Sequence, residues 1–227
     1  MQGGAAVLEI EFWSDLHCPW AYVTARRLRR ALQRFPHPVR VYWRYWPLEL
    51  VDRVGTPRAA VEAERAILSQ VEPDAFALWQ RDDYPVTFLP AMAIAKAASL
   101  QGEEVAGEVD FAIREGFFLY QRNVALIPEL FEIVSQTSAD LARLEQDFWL
   151  GHGWRRLWDD WQASQQRPIQ GSPHLFVVSG QRDVHNPGIE IRQSSHGYPI
   201  IVQDDPDYLL KWLHLAWREV TSGHQEE

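Results

Sequence analysis

The hydrophobic pattern at the start of the chain predicts a β–α–β unit. Residues 7–13 are largely apolar, and residues 39–46 alternate apolar and polar positions with many aromatic side chains, as strands do. Between them, residues 18–28 have helical spacing, with a proline in the first turn, where its missing N–H has no intrahelical partner. A helix that joins two such strands favours a right-handed crossover and parallel pairing.

The middle of the chain has the apolar spacing of helices and no strand-like run. Helices are predicted over 57–80, 89–100, 103–120, 128–134, a segment opening at Ser138–Asp140, and 152–166. The last of these carries Trp154, Trp158 and Trp161. We therefore expect a helical block inserted into the α/β unit.

The pattern near the end of the chain returns to strands. A small-residue turn and a proline precede an apolar strand that closes at Gly180. Residues 181–197 are polar and predict a hairpin or a long loop, residues 198–202 predict a short strand, and residues 204–220 predict an amphipathic helix. The tail, 221–227, is expected to be disordered.

Composition narrows the class of protein. The chain has 227 residues, enough for one large domain or a domain with an insertion, and a formal net charge of −9, which opposes a nucleic-acid partner. The basic cluster at residues 26–30 is expected to be a solvated helix face. There is no apolar run long enough for a membrane span, no visible export signal and no spacing of metal ligands. With one cysteine, these features predict a cytoplasmic protein without a metal.

The single cysteine, Cys18, lies where a predicted strand and turn lead into a predicted helix, directly before Pro19. The free amides and the dipole of a helix N-terminus favour an anion, so we expect the pKa of this thiol to be lowered. The alternative is that Cys18 is a small buried hydrophobic residue.

The residues around Cys18 limit its chemistry. Two-cysteine catalysts place a second cysteine three residues later, where this chain has Ala21, so no internal disulfide can form. The remaining options are a mixed disulfide with a small thiol or a partner, thiolate chemistry without net redox change, or binding alone. An imidazolium at His17 would lower the thiol pKa further, whereas the alternative is a surface histidine. Together with His17, Pro19 and Ala21, Trp20 is expected to line the pocket around the Cys18 thiol.

Four motifs in this order resemble the thioredoxin-fold proteins related to DsbA, in the branch of FrnE-like oxidoreductases and 2-hydroxychromene-2-carboxylate isomerases. They are residues 14–20, 43–50, 123–130 and 171–173, and the resemblance covers nearly the whole chain. It implies an α/β, thioredoxin-like fold with an inserted all-helical domain. The expected division is 1–53 and 151–220 for the thioredoxin-like domain and 54–150 for the insertion, with 221–227 as the tail.

The resemblance also implies a ligand-docking edge. The bond between Ser172 and Pro173 is expected to be cis and to face Cys18, so that the Ser172 backbone meets an incoming peptide or glutathione. His174 follows, facing either the site or solvent. The departure at Ala21 puts dithiol exchange in doubt, and the isomerases and kappa-class glutathione transferases usually carry serine at the Cys18 position.

These observations lead to three hypotheses of function. The first is a DsbA-like oxidoreductase with a single active-site cysteine that acts with glutathione or another low-molecular-weight thiol. The second is a glutathione-assisted isomerase or transferase of a small aromatic compound, and the third is a non-catalytic binding protein. The expected partner is a small thiol or a thiol-containing peptide as cosubstrate, with no tightly bound cofactor, nucleic acid or membrane, and a homodimer is left open.

Overall fold

The computed structural model describes residues 6–195 and 199–223. Its strands are β1 (Leu8–Ser14), β2 (Val39–Tyr45), β3 (His174–Val177), β4 (Asp183–His185), β5 (Ile189–Gln193) and β6 (Pro199–Asp204). Its helices are α1 (Pro19–Arg34), α2 (Leu48–Val51), α3 (Arg58–Leu68), α4 (Leu89–Ala98), α5 (Glu103–Phe118), α6 (Ile127–Val134), α7 (Leu141–Trp149), α8 (His152–Ser164) and α9 (Tyr208–Gly223). A 3-10 turn spans Pro73–Ala75.

The main sheet has four strands in the order β2-β1-β3-β4. β1 pairs in parallel with β2, from Leu8 opposite Val39 to Ser14 opposite Tyr45, which confirms the predicted β–α–β unit. β3 runs antiparallel to β1, and β4 runs antiparallel to β3. β5 and β6 form a separate antiparallel ribbon.

Two apolar cores hold the chain together. In the first, the side chains of β1 pack with those of α1 and α9, including Phe12, Leu28 and Trp212. β1 is covered along almost its whole length, as expected for a central strand with helices on its faces. The second core belongs to the helical block and includes Ile94 of α4 and Phe117 of α5.

The helical block confirms the expected α/β fold class with a helical insertion. None of the described strands comes from residues 60–145. α4 is rich in alanine and almost entirely buried, so α8 approaches it closely and makes its most extensive contacts there. The division at residue 150 stays a prediction, and by packing alone α8 lies with the helical block.

The helix expected over 57–80 ends at Leu68, so that prediction is wrong beyond this point. Pro73 has no N–H to donate, and it disfavours helical geometry at the residue before it. Glu72 accordingly has φ −136° and ψ 70°, outside the helical region. A loop then leads to α4.

The last third of the chain differs from expectation in detail. The polar segment after Gly180 divides between β4 of the main sheet and β5 of the ribbon. The last helix continues to Gly223, three residues into the segment expected to be disordered. Tyr198 and residues 224–227 lie outside the described residues.

The basic cluster of α1 is not a solvated face throughout. The Arg27 side chain is only 2% exposed, and its guanidinium pairs with Glu72 at 3.0 Å and with Asp204 at 2.6 Å. Both acidic partners come from distant parts of the chain, so local sequence could not reveal them. Across the ranges 6–195 and 199–223, no helix has the length and apolar character of a membrane span, and no group of histidine, cysteine and acidic side chains is arranged to hold a metal.

Candidate active site

Cys18 is the N-cap residue of α1, with φ −80° and ψ 117°, and Pro19 is the first helical residue. The turn that leads into the helix bends back on itself, because the Cys18 N–H donates to the carbonyl oxygen of Asp15 at 3.4 Å. The predicted layout of strand, turn, Cys-Pro and helix is therefore present. Trp20 and Ala21 follow in the first turn, and both are buried.

Asp15, which sequence reasoning missed, fixes this turn. One carboxylate oxygen accepts the His17 N–H and the other accepts the Leu48 N–H, both at 2.6 Å. Arg114, fully buried, donates to the Asp15 carbonyl at 3.1 Å. Burial raises the pKa of the Asp15 carboxyl to about 6, although the two backbone bonds oppose the rise. The available signal was an aspartate in the predicted turn, because an aspartate there often accepts the backbone N–H two residues later, in an Asx turn.

The loop before β3 brings Ser172 to Cys18 across 154 positions of sequence. The Ser172–Pro173 peptide bond is cis. The Cys18 thiol donates to the carbonyl oxygen of Ser172, with Sγ and O 3.0 Å apart, and the Asp15 N–H donates to Ser172 Oγ at 2.9 Å. The loop is tightly packed at Gly171, because a Cβ atom there would lie 2.5 Å from Nε2 of His185 and the imidazole would have to shift.

The Cys18 thiol is shielded from water. It is 6% exposed and packs in a small apolar cluster with Trp20 of α1, Leu68 of α3 and Ile189 of β5. Ile201 of β6 packs against the same cluster. We call α3 and the β5–β6 ribbon the cover of the thiol.

The expected lowering of the thiol pKa is wrong for this covered arrangement. Burial, followed by the nearby Glu64 carboxylate, raises the pKa of Cys18 to about 12. Hydrogen bonding from the Ser172 side chain and from the Ala21 backbone opposes this rise with smaller effects. The Glu64 carboxyl lies on α3, is hydrogen-bonded to Trp20, and has its own pKa raised by burial. The thiol is thus protonated at neutral pH.

His17 is neither an imidazolium nor a surface residue. Its ring stacks on Phe88, with centroids 4.1 Å apart, and its Nε2 lies 2.8 Å from the Tyr84 hydroxyl. Burial lowers the pKa of His17 to about 3. The aromatic partners come from the loop before α4, which is why their approach was not visible in the sequence.

A cavity of about 230 Å³ opens beside the turn that holds Cys18. His17 and Asp15 lie on its wall, together with Tyr84 and Phe88. Arg58 also contributes, with its guanidinium 5.1 Å from the centre of the Tyr84 ring. The cavity is therefore part aromatic and part polar.

The His174 side chain is not exposed at the predicted docking edge. It is buried, with Nδ1 accepting the Gln170 N–H at 3.1 Å and Nε2 lying 2.9 Å from Asp183. Both ring nitrogens are therefore occupied, and the side chain faces neither the site nor solvent. Of the residues predicted at the docking edge, Ser172 lies against the thiol through its carbonyl oxygen.

Comparison with known proteins places the chain in a family. Residues 9–190 match the family described as DSBA-like thioredoxin domain, and the chain belongs to that family. The sequence has no significant match among curated proteins.

Several solved structures share the fold. A protein from Nitrosomonas europaea provisionally described as a protein disulfide isomerase has a TM-score of 0.70 and 18% identity, covering 93% of this chain and 98% of that one. The cytosolic disulfide reductase DsbM from Pseudomonas aeruginosa with GSH has a TM-score of 0.67 and 14% identity, covering 93% and 100%. A 2-hydroxychromene-2-carboxylate isomerase has a TM-score of 0.64 and 14% identity, covering 97% and 100%.

Proposed function

We propose that this DsbA-like protein is a single-cysteine thiol enzyme that works with glutathione or a related low-molecular-weight thiol. The observation that carries the proposal is the 3.0 Å contact between Cys18 Sγ and the Ser172 carbonyl oxygen, beside the cis bond to Pro173. A peptide ligand that hydrogen-bonds to the Ser172 backbone would bring its own sulfur to Cys18. The contact therefore supports a site for thiol chemistry.

The backbone of Ser172 offers two groups to such a ligand. Among the described residues its N–H has no protein hydrogen-bond partner, and its carbonyl oxygen accepts the Cys18 thiol. A thiol is a weak donor, so an amide N–H of a bound peptide would replace it at that oxygen. The thiol would then lose one of the contacts that retain its proton.

The proposed reaction begins with the Cys18 thiolate attacking one sulfur of oxidised glutathione or of a glutathionylated protein. The Cys18–sulfur bond forms, the original disulfide bond breaks, and the second sulfur leaves as a thiolate that takes up a proton. Cys18 is thereby oxidised to a mixed disulfide while the leaving thiol is reduced. Since the chain has no second cysteine, an external glutathione thiolate must attack the mixed disulfide, releasing oxidised glutathione and the Cys18 thiolate.

Catalysis on this scheme requires the cover to open. With Cys18 buried, the thiolate is too rare at neutral pH to attack, because burial raises the pKa of the thiol to about 12. Movement of α3 or the β5–β6 ribbon would admit water and ligand to the sulfur. The N-terminus of α1 would then stabilise the thiolate, as its dipole favours an anion.

The structural relatives support the choice of thiol. DsbM was solved with GSH and is called a cytosolic disulfide reductase. We propose the same class of thiol ligand for this chain and, with it, a cytoplasmic location.

The test is to incubate the protein with oxidised glutathione and to follow its intact mass. We expect one glutathionyl adduct per chain, removed by added reduced glutathione, and no adduct on Cys18→Ser. Ala21→Cys serves as a second variant, because a cysteine there would attack the mixed disulfide internally and release the adduct without external thiol. A wild-type protein that gains no adduct even after long exposure contradicts the proposal.

A second candidate function is the glutathione-assisted isomerisation of a small aromatic compound. The observation that favours it is the cavity of about 230 Å³ beside His17, walled by Tyr84 and Phe88. A neutral His17 with a pKa of about 3 and a hydrogen-bonded phenol provide a route for moving a proton at a bound ring.

The two candidates differ in what Cys18 must do. Thiol exchange requires Cys18 and is abolished in Cys18→Ser, whereas an isomerase that uses the glutathione sulfur would retain glutathione-dependent turnover in that variant. Tyr84→Phe separates them further, because it should impair only the isomerase. Binding of glutathione without any turnover or adduct would instead favour a non-catalytic protein.

A further inference from the structure

The end of α7 and one flank of α8 expose four large apolar side chains, which we call the tryptophan face. Trp149, Leu150, Trp154 and Trp158 are 63%, 61%, 39% and 53% exposed. The Phe148 ring lies 5.0 Å from that of Trp149 and 6.1 Å from that of Trp154, so the two helices contribute to one continuous surface. Trp158 is one helical turn beyond Trp154 on the same flank.

These side chains are not needed for the packing of α8. The inward side of that helix consists of Gly153, Leu157, Asp160 and Ser164, all buried. Three half-exposed indoles and a leucine present on the order of 300–500 Å² of apolar surface. This is a large patch for a free surface, and it supplies about half of the roughly 800 Å² per partner that a stable interface buries.

We propose that a second copy of this chain covers the tryptophan face, with α8 packed antiparallel to α8 of the second copy. The inference is independent of the thiol function proposed above. It rests on the charges beside the tryptophans. Arg155 and Asp159 both lie on the exposed side of α8, and neither side chain has an ion-pair or hydrogen-bond partner among the described residues.

These two charges are complementary under two-fold symmetry. A two-fold axis at the level of Leu157 maps a residue two positions before Leu157 onto one two positions after it. Arg155 therefore lies opposite Asp159 of the second copy, and Asp159 opposite Arg155 of the second copy, giving two matched pairs. Such self-complementarity is what an isologous interface requires.

The same operation brings the apolar groups together. Rotation about an axis perpendicular to the helices keeps the tryptophan flank of each copy on the same side of the interface. The two Trp158 side chains then meet near the axis, and the Arg155–Asp159 pairs lie towards the opposite flank. Indoles desolvated at the centre, with charges around them, are the arrangement typical of protein interfaces.

A membrane surface fits this face less well. Helices that bind in the membrane interface carry lysine and arginine on their polar side, and anionic lipids attract them. Here an aspartate lies beside the tryptophans, and the chain has a net charge of −9. The charge pattern thus favours a copy of the chain over a lipid surface.

The test is sedimentation velocity of the full chain over a range of concentrations. We expect a dimer for the wild type, with Arg155→Asp and Asp159→Arg each raising the dissociation constant at least about tenfold, because each places like charges opposite one another. The double variant carrying both changes restores the opposite charges and should restore the dimer. Arg53→Asp, in an exposed loop, makes the same charge change away from the face and should have no effect.

Removal of the apolar groups provides a separate measurement. Trp158→Gln should dissociate the dimer while leaving the far-ultraviolet circular dichroism unchanged, and Tyr120→Gln, at another exposed aromatic residue, should not. A wild type that is monomeric at every concentration tested overturns the proposal. So does a dimer insensitive to the two charge reversals, and so does a monomer that binds phosphatidylcholine vesicles through Trp158.

Discussion

At the scale of single residues, the surroundings of Cys18 retain its proton. A rise in pKa from 9.0 to about 12 corresponds to about 4 kcal/mol against the thiolate. The dipole of a helix N-terminus contributes up to about 2 kcal/mol in a favourable geometry. Burial therefore outweighs the helix end as long as the sulfur is covered, and reactivity depends on how often the cover opens.

Glu64 provides a test of this balance. Glu64→Gln removes the carboxylate that disfavours the thiolate and keeps an oxygen for the Trp20 hydrogen bond. We expect the alkylation rate of Cys18 by iodoacetamide at pH 8 to rise about three- to tenfold, since each pKa unit changes the thiolate population tenfold. Asp74→Asn, at an exposed position, is the control and should leave the rate unchanged. Equal rates for Glu64→Gln and the wild type would show that Glu64 does not influence the sulfur.

His17 should make the protein sensitive to acid. Its pKa is about 3 when folded and 6.5 when unfolded, so the stability tied to its neutral form is present above pH 6.5 and is lost as the pH falls below that value. At pH 5 the loss amounts to about 2 kcal/mol. Urea unfolding at pH 7.5 and pH 5 should show a steeper loss for the wild type than for His17→Gln.

The raised pKa of Asp15 acts in the opposite direction over part of this range, but it is present in both proteins and cancels in the comparison. Nuclear magnetic resonance of the His17 ring should show the neutral form down to pH 4. Parallel pH slopes for the two proteins would contradict the buried, neutral assignment.

The sequence located the thiol but not the distant groups that complete its site. Cys18, Pro19 and Ala21 lie in one continuous motif, and the helix that begins there follows from local rules alone. Glu64 and Tyr84 reach the site from the inserted segment, over distances in sequence that no local pattern encodes. The same limit explains why the thiol pKa was predicted in the wrong direction, since burial is a property of the whole fold.

At the scale of elements, close contact between α4 and α8 joins the helical block to the segment that returns to the sheet. Gly153 makes the contact possible, because a Cβ at this position would lie 2.1 Å from the backbone oxygen of Ala93. Backbone cannot move aside as a side-chain end can. Periodicity predicted both helices but not this crossing, because a glycine near the start of α8 has no special meaning until its neighbour is known.

Gly153→Ala should therefore destabilise the protein by about 3 kcal/mol or more, the upper range for overpacking a core. Gly116→Ala is the matched control, since its added methyl group meets the flexible end of Ile133 at 2.7 Å and alanine favours the helix. Equilibrium urea unfolding of the two variants measures the difference. A Gly153→Ala loss no larger than that of Gly116→Ala would mean that α4 and α8 separate at little cost.

At the scale of the whole molecule, one buried arginine links the elements around the thiol. Arg27 of α1 pairs with Glu72, after α3, and with Asp204, at the end of β6, so both parts of the cover are tied to the helix that carries Cys18. The order of strands and helices predicted the fold class. It did not predict this link, because the segment after α3 was interpreted as a continuing helix and Asp204 as the start of the last helix rather than the end of β6.

Loosening the link should expose the thiol without unfolding the protein. Asp204→Asn removes one of the two anionic partners of Arg27, which is 2% exposed and retains Glu72. We expect the change to lower the free energy of opening the cover by about 1–2 kcal/mol. This is less than the effect of breaking a fully buried pair, because the Asp204 side chain is 26% exposed. When opening is fast, alkylation follows the open population, so the Cys18 rate should rise about fivefold to thirtyfold.

The control is Asp207→Asn, which breaks the nearby and more exposed ion pair with Arg34. Because exposed ion pairs contribute little to stability, the rate should stay within about twofold of the wild type. If both variants react at the wild-type rate while Glu64→Gln reacts faster, the thiol is reached by a route that leaves the ribbon in place, and α3 alone acts as the cover.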